Sequence, residues 1–143
     1  MIAFFSGSRS FGVERAGSLV ETAFGLTGWE LSEVRKIIHG GAGGIDQAAD
    51  KFGRRNNIEV EIFRPRKFAA GTPVWMIKAA YLERNGVMSE KCDRAVIIWD
   101  GFSKGTLDSL RKVQKLKKPH FAFRSFGSEP LQLISRTDPG FFG

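Results

Sequence analysis

Short apolar runs alternate along the chain with segments whose apolar residues recur at helical spacing. The runs predict five buried strands, at residues 2–5, 34–38, 58–63, 95–99 and 120–123. The helical spacing predicts four helices, at residues 13–24, 45–52, 74–88 and 106–116. This alternation is typical of a Rossmann-like, doubly wound α/β fold. We therefore expect a mainly parallel five-stranded sheet with helices on both faces, in three layers.

The alternation covers residues 1–124, which we interpret as one nucleotide-binding domain, and then stops. Residues 125–143 form a C-terminal extension with two prolines, three glycines and the pair Phe141-Phe142. That composition fits a surface arm, an added edge strand or an oligomer contact, and it does not decide among them.

In open α/β sheets the ligand lies outside the carboxyl ends of the strands. Glycine, hydroxyl and arginine residues follow four of the five predicted strands. Glycine lets a phosphate approach the backbone closely, and the first N–H groups of the next helix attract anions. The sequence thus predicts a site for a phosphate-bearing nucleotide or nucleotide-derived ligand. The candidate ligand-binding residues from this argument are Gly7, Ser8, Arg9, Gly40, Gly41, Gly44, Asp46, Trp99, Asp100, Gly101, Ser103, Gly105 and Thr106.

Four of these candidates fit a structural role as well. Asp46 suits the start of a helix as much as contact with a ribose, and Thr106 suits an N-cap as much as a phosphate. Arg9 either grips the ligand in a bidentate way or pairs with a carboxylate. Trp99 fits the wall of a core or crevice and also a base-stacking platform. The sequence leaves these alternatives open.

Composition adds a positive charge to this picture. The 143 residues carry a formal net charge of +7 and a pI of about 9.9, which favours a phosphorylated or polyanionic partner. A face for single-stranded nucleic acid is therefore a further hypothesis, and binding there should weaken steeply with salt. Its basic residues are Arg54, Arg55, Arg64, Arg66, Lys67, Arg111, Lys112, Lys115, Lys117 and Lys118.

Residue usage excludes several other classes. Cys92 is the single cysteine, so we expect no internal disulfide and interpret it as a small core filler. We expect no metal site and no cofactor, because His39 and His120 stand alone; His39 should be buried and His120 solvent-facing. No apolar run approaches the ~20 residues of a membrane span, and no basic segment precedes the apolar amino terminus. A cytoplasmic protein is expected. The P-loop and Gly-x-Gly-x-x-Gly fingerprints are both absent.

Four short segments carry a resemblance to a known group of proteins over residues 2–124. In chain order they are Gly7-Ser8-Arg9, His39-Gly40-Gly41-Ala42-x-Gly44-x-Asp46, Arg84-Asn85-x-x-Met88 and Trp99-Asp100-Gly101-x-Ser103-x-Gly105-Thr106. They resemble the SLOG superfamily, the Rossmann-like group that contains the DprA/Smf proteins and the "lonely guy" phosphoribohydrolases. Within it the likeness is greatest to the YspA/YpsA-related branch.

This resemblance implies a nucleotide or nucleotide derivative as the ligand and a role in ligand sensing, often in microbial or phage conflict systems. It implies a homo-oligomer as well. It adds Arg84 and Asn85 to the candidate ligand-binding residues. At Gly43 the branch usually has an arginine, so one grip on phosphate is missing here, and Arg64 or Lys104 is the candidate replacement.

The phosphoribohydrolase relatives suggest an alternative activity, cleavage of the bond between a base and ribose 5′-phosphate. Their helical arginine corresponds to Arg84, whereas their catalytic glutamate falls on Ser109. The neighbouring Asp108 makes Arg84 and Asp108 the candidate catalytic pair, with Asp46 and Asp100 as other carboxylates. The missing glutamate favours a binding or sensing domain over the enzyme, because this hydrolysis needs a carboxylate at the reacting bond. Nucleic-acid binding ranks third.

Overall fold

The computed structural model describes residues 1–137, and every structural statement below concerns that part of the chain. Strands and helices alternate from the amino terminus. They are β1 (Ile2–Gly7), α1 (Val13–Thr27), β2 (Lys36–His39), α2 (Ile45–Arg55), β3 (Glu59–Ile62), α3 (Val74–Lys91), β4 (Arg94–Trp99), α4 (Lys104–Lys115), β5 (His120–Arg124) and β6 (Gln132–Thr137), with a 3₁₀ turn at Leu31–Glu33 before β2.

The strands form one sheet in the order β3-β2-β1-β4-β5-β6. Strands β1 to β5 pair in parallel, and β6 is antiparallel to β5. The connections run outward in one direction from β1 and in the other from β4. The boundary between these two strands is therefore the topological switch point, where α/β sheets form their ligand crevices. The predicted Rossmann-like fold is confirmed, with a sixth strand added to the expected five.

The sixth strand comes from the extension that the sequence left undecided. Residues 132–137 pair along the free edge of β5, so this part is an added edge strand. Phe141 and Phe142, for which an oligomer contact was one of the alternatives, lie outside the described residues.

The helices predicted at residues 13–24 and 45–52 both extend further, each through the glycine that follows its predicted end. Helix α1 continues through Gly25 and ends at Gly28, which adopts a left-handed conformation with φ of 72°. Helix α2 continues through Gly53, where a Cβ atom would lie 2.7 Å from Cγ2 of Val60. Gly53 is thus required by the close packing of α2 on β3, and it does not terminate the helix.

Both faces of the sheet are covered, and alternate residues of each strand enter opposite cores. On β1, Phe5 packs with α1 and α2, whereas Phe4 packs with residues of α3 and α4. Cys92 lies in the second core, where burial raises the pKa of its thiol to about 11. The thiol is therefore protonated at neutral pH, which agrees with a core filler and not with a nucleophile.

The expectation that His120 faces solvent is wrong. Its side chain is 1% exposed, because β6 covers the edge of the sheet on which it lies. Its Nδ1 lies 3.0 Å from the carbonyl oxygen of Lys118, and its Nε2 lies 2.7 Å from Oγ of Ser135 in β6. Burial lowers the pKa of His120, although the hydrogen bond to Lys118 partly opposes this.

Acidification is expected to weaken the fold at His120. Unfolded chains take up this proton near pH 6.5, whereas the folded protein takes it up only at lower pH. The free energy of unfolding should therefore fall as the pH drops below about 6.5, by at most ~1.4 kcal/mol per pH unit. Urea unfolding at pH 7.5, 6.5 and 5.5 measures this slope, which His120→Gln should reduce. An identical slope in the variant would refute the assignment.

Candidate functional site

A cavity of about 720 Å³ opens at the carboxyl ends of β1 and β4, at the switch point. The β1–α1 loop, the glycine-rich run after β2, one face of α3 and the start of α4 form its walls. The sequence-predicted residues that line it are Gly7, Arg9, Asp46, Arg84, Asn85, Asp100, Ser103, Gly105 and Thr106. Nine candidates from four separate segments thus surround one cavity, as convergence at the carboxyl edge requires.

Asp100 holds the two central loops together. Its amide donates to Oγ of Ser8 at 3.0 Å, and Oγ of Ser10 donates to its Oδ2 at 2.8 Å. Its Oδ1 accepts the amides of Phe102 and Ser103, each at 2.8 Å. Burial by itself would raise the pKa of Asp100, but these hydrogen bonds hold that pKa below its usual value. Asp100 is therefore an ionised carboxylate whose oxygens are occupied by the loops.

Helix α4 points its amino end at the cavity. The N-cap is Ser103 and not Thr106, since Oγ of Ser103 accepts the amide of Thr106 at 3.5 Å. The first two helical residues, Lys104 and Gly105, both line the cavity. Their N–H groups have no acceptor within a helix, and the helix dipole adds positive potential there. This end of α4 is suited to an anion.

The glycine-rich run is arranged differently from the expectation. The amides of Gly40 and Ala42 donate to Oδ2 of Asp46, each at 3.2 Å, and the amide of Gly41 donates to Nδ1 of His39 at 3.0 Å. We expected these amides to face a phosphate, but the run uses them to hold its own conformation. His39 is buried as predicted, and its Nε2 lies 2.7 Å from Oδ2 of Asp50.

Asp46 both holds the glycine-rich run and lines the cavity. Burial raises the pKa of its carboxyl group, while the amide of Ala42, the His39 ring, the Arg84 guanidinium and the amide of Gly40 all act in the opposite direction. The position of Asp46 is therefore compatible with both of its predicted roles, at the start of a helix and in contact with a ribose. It lies in the first turn of α2 and is also within reach of a ligand.

Arg84 and Asn85 connect α3 to the loops around the cavity. Nη1 of Arg84 donates to the Gly40 carbonyl oxygen at 2.9 Å, and its guanidinium lies 5.0 Å from the centre of the Tyr81 ring. Nδ2 of Asn85 contacts the Gly105 carbonyl oxygen at 3.5 Å and donates to Oδ2 of Asp108 at 3.2 Å. Burial lowers the pKa of Arg84, but a guanidinium remains charged at neutral pH.

The structure does not bring Asp108 to the cavity. Its carboxylate accepts from Asn85 and forms an ion pair with Lys112 at 2.8 Å on the same helix. Among the cavity's lining residues only Arg84 of the expected catalytic pair is present. Ser109, at the position of the relatives' glutamate, is buried and its Oγ has no hydrogen-bond partner in residues 1–137. Asp108 does not take the place of that glutamate, because side chains at neighbouring helical positions point about 100° apart.

Other predicted residues lie in or beside the loops around the cavity but do not line it. Ser8 is buried, and Trp99 donates from Nε1 to the Ser103 carbonyl oxygen at 2.9 Å. Gly44 and Gly101 adopt φ of 65° and 92°, conformations that glycine tolerates best. None of these four lines the cavity. Gly40 and Gly41 line a smaller cavity beside it.

Sequence reasoning left several lining residues out of the candidate list. Lys78, Tyr81 and Leu82 lie on the cavity side of α3 together with Asn85. Spacings of three, four and seven residues place them on one helical face. Extending the face of Asn85 by that periodicity would have identified them. Ser10 also lines the cavity, next to Arg9, and so does Lys104, which the sequence indicated as a candidate replacement grip on phosphate.

The charges around the cavity favour an anion. Four basic side chains line it, against two carboxylates, Asp46 and Asp100. The basic side chains are Arg9, Lys78, Arg84 and Lys104. A concave wall with this excess concentrates anionic ligands. Within residues 1–137, no three His, Cys, Asp or Glu side chains are grouped so as to hold a metal ion.

Comparison with known proteins supplies a counterpart for the fold. No protein-family model and no curated protein matches the chain. Among solved structures it is similar to DNA processing protein A (DprA) from Streptococcus pneumoniae, with a TM-score of 0.61 and 18% sequence identity. The match covers 84% of this chain and 49% of that one, so this chain spans about half the length of its solved counterpart.

At this level of identity the likeness concerns the fold. The fold is DprA-like, as the SLOG resemblance implies, while the YspA/YpsA-related branch stays a prediction. Across residues 1–137, no helix combines the length and the apolar character needed to cross a bilayer.

Proposed function

We propose that the cavity binds a phosphate-bearing nucleotide or nucleotide-derived ligand and that the domain acts as a ligand-binding or sensing module. The observation that carries this proposal is the meeting of Arg9, Arg84 and the amino end of α4 around one cavity at the switch point. Guanidinium groups grip phosphate in a bidentate way, and helix amino ends bind it through N–H groups.

The walls of the cavity divide naturally between the parts of such a ligand. A phosphoryl group suits the start of α4, where Lys104, Gly105 and the hydroxyl of Thr106 meet. A base or sugar suits the wall formed by α3, which contributes Tyr81 and Leu82. A volume of about 720 Å³ lies within the range of roughly 300–1,000 Å³ that small-molecule sites occupy.

Calorimetric titration tests the proposal with a panel of adenine and guanine mono- and diphosphates, ADP-ribose, cyclic dinucleotides and the unphosphorylated nucleosides. We expect at least one phosphorylated compound to bind and its nucleoside to fail. Arg84→Ala should weaken that binding about 10- to 100-fold, because charge-assisted hydrogen bonds are lost.

Lys115→Ala is the matched control, since it removes one exposed charge from the opposite end of α4. It should change the affinity by less than about twofold. Thermal melting without ligand monitors folding of both variants. Failure of every phosphorylated compound at millimolar concentration, or equal effects of the two substitutions, would contradict the proposal.

A hydrolase acting on nucleoside monophosphates is the second candidate, and Asp46 is the observation that favours it. This carboxyl group lines the cavity, and burial raises its pKa, a combination found in general acids and bases. Arg84 lies on the same cavity and would clamp the phosphate. Release of free base from a nucleoside monophosphate, abolished by Asp46→Asn, would establish this activity, and its absence leaves ligand binding as the function.

We include single-stranded DNA in the binding measurements because the solved counterpart is a DNA processing protein. The basic residues considered for nucleic acid lie at both ends of the strands. Arg64, Arg66 and Lys67 follow the carboxyl end of β3, whereas most of the others lie in or just after the C-terminal turns of α2 and α4, near the amino ends of the strands. Several are already paired, including Arg54 with Asp50. We expect weak binding that disappears as salt is raised.

A further inference from the structure

A second, smaller cavity of about 250 Å³ lies beside the main one and shares part of its wall. Arg9, Ala42, Tyr81 and Arg84 line both cavities. The remaining walls of the smaller cavity come from Gly40 and Gly41 and from Arg64 and Pro65, just beyond β3. The two cavities therefore adjoin each other along these four residues.

Three guanidinium groups and no carboxylate line the smaller cavity. Arg9, Arg64 and Arg84 form no ion pair within 4 Å in residues 1–137, whereas Lys36, Arg54, Arg55, Arg94 and Lys112 do. Nε of Arg84 is buried without a hydrogen-bond partner. Burial is the largest influence on the pKa of Arg84 and lowers it. The nearby Arg9 charge also lowers this pKa, whereas Asp46 and Tyr81 raise it. Like charges gathered in this way are unfavourable unless an anion joins them.

The glycine-rich run brings these guanidinium groups close to the backbone. A Cβ atom on Gly40 would lie 2.8 Å from Cζ of Arg84, and one on Gly41 would lie 3.0 Å from Nη1 of Arg64. Any larger residue at either position would displace an arginine. The amides of Gly40 and Gly41 are already used by Asp46 and His39, so the guanidinium groups are the anion-binding elements here.

We propose that the smaller cavity is a second anion subsite and that the ligand carries at least two phosphoryl groups. One phosphoryl group would bind at the start of α4, and the next between Arg9 and Arg64 above Gly41. This inference rests on the proposed function and specifies its ligand as a nucleoside diphosphate or another nucleotide with a pyrophosphate-type linkage. Arg64 thereby supplies the grip on phosphate that Gly43 lacks.

Calorimetry with AMP against ADP, and GMP against GDP, tests the subsite. In at least one pair the diphosphate should bind about tenfold or more tightly than the monophosphate. Arg64→Ala should remove this preference by weakening the diphosphate about tenfold, and it should change monophosphate affinity by less than twofold. The substitution is compatible with folding, because Arg64 is exposed.

Arg66→Ala is the matched control. Arg66 is exposed in the same loop and lies over the Phe68 ring at 5.4 Å, and it does not line either cavity. It should leave both affinities unchanged. Equal binding of mono- and diphosphates in both pairs, or equal effects of Arg64→Ala and Arg66→Ala, overturns the second subsite while the Arg84-dependent binding stands. Failure of these four nucleotides and also of ADP-ribose and the cyclic dinucleotides to bind overturns both proposals.

Discussion

Replacing Gly44 by alanine is expected to destabilise the protein by about 3 kcal/mol. Gly44 precedes α2 with φ of 65° and ψ of −119°, a conformation that suits glycine almost alone. A Cβ atom there would lie 2.4 Å from the Ser8 carbonyl oxygen and 2.9 Å from Cα of Arg9. Both neighbours are backbone atoms of the β1–α1 loop, so neither can rotate away. Backbone strain and steric overlap therefore add.

Gly43→Ala provides the control, because it adds the same atom one residue earlier. No heavy atom lies within 4 Å of a Cβ built on Gly43, and its φ is outside the left-handed region. We expect a change within about 0.5 kcal/mol. Urea unfolding followed by circular dichroism measures both variants. Equal urea midpoints for Gly44→Ala and Gly43→Ala would show that the β1–α1 loop does not exclude a side chain at position 44.

The periodicity of the sequence predicted the five parallel strands because four of them are largely buried and read as apolar runs, and the fifth, β3, carries apolar residues at alternate positions. It could not predict β6. Leu133 and Ile134 are exposed in an edge strand, so no burial pattern marks them. The pairing of β6 depends on the free edge of β5, a contact between distant segments. The end of α2 was mispredicted at Gly53 for a related reason, since the role of this glycine is set by its packing against Val60 on a neighbouring strand.

The position of the site followed from topology, whereas its hydrogen bonds did not. Parallel strands align their carboxyl ends, which is sufficient to bring Arg9, Asp46 and Thr106 together. A glycine-rich run with an aspartate two residues later is equally compatible with amides that face a ligand and amides that face the aspartate. The structure has the second arrangement for Gly40 and Ala42. Sequence alone gives no means of choosing between them.

Asp46 is the residue where stability and function should separate most clearly. Asp46→Ala removes the acceptor of the Gly40 and Ala42 amides, and each unsatisfied amide costs about 1–3 kcal/mol. We expect a loss of about 2–6 kcal/mol for the pair. Asp46→Asn keeps one oxygen to accept both amides and removes the charge. Burial is the largest influence on the Asp46 pKa, so we expect the asparagine variant to be at least as stable as the wild type at pH 7.

The pH dependence distinguishes the charge from the hydrogen bonds. The folded-state pKa of Asp46 is raised above its unfolded value of about 3.9, so its contribution to stability is fully present below that pH. It is lost as the pH rises through the folded-state pKa. Asp46→Asn should remove this loss, which urea unfolding from pH 3.5 to 7 would reveal as a difference between the two proteins that grows with pH. A constant difference would mean that Asp46 is not perturbed by burial.

Ligand experiments with the same variant decide between the two candidate functions. A binding module should hold its phosphorylated ligand more tightly after Asp46→Asn, because one of two carboxylates is removed from a cavity that binds an anion. A hydrolase should lose release of the base while it keeps its affinity, because the carboxyl group acts on the reacting bond. Calorimetry and a base-release assay on one preparation report both quantities. Weaker binding of the phosphorylated ligand by Asp46→Asn, with no release of base by the wild type, would contradict this charge argument and would make Asp46 a direct contact of the ligand's hydroxyl groups within a binding module.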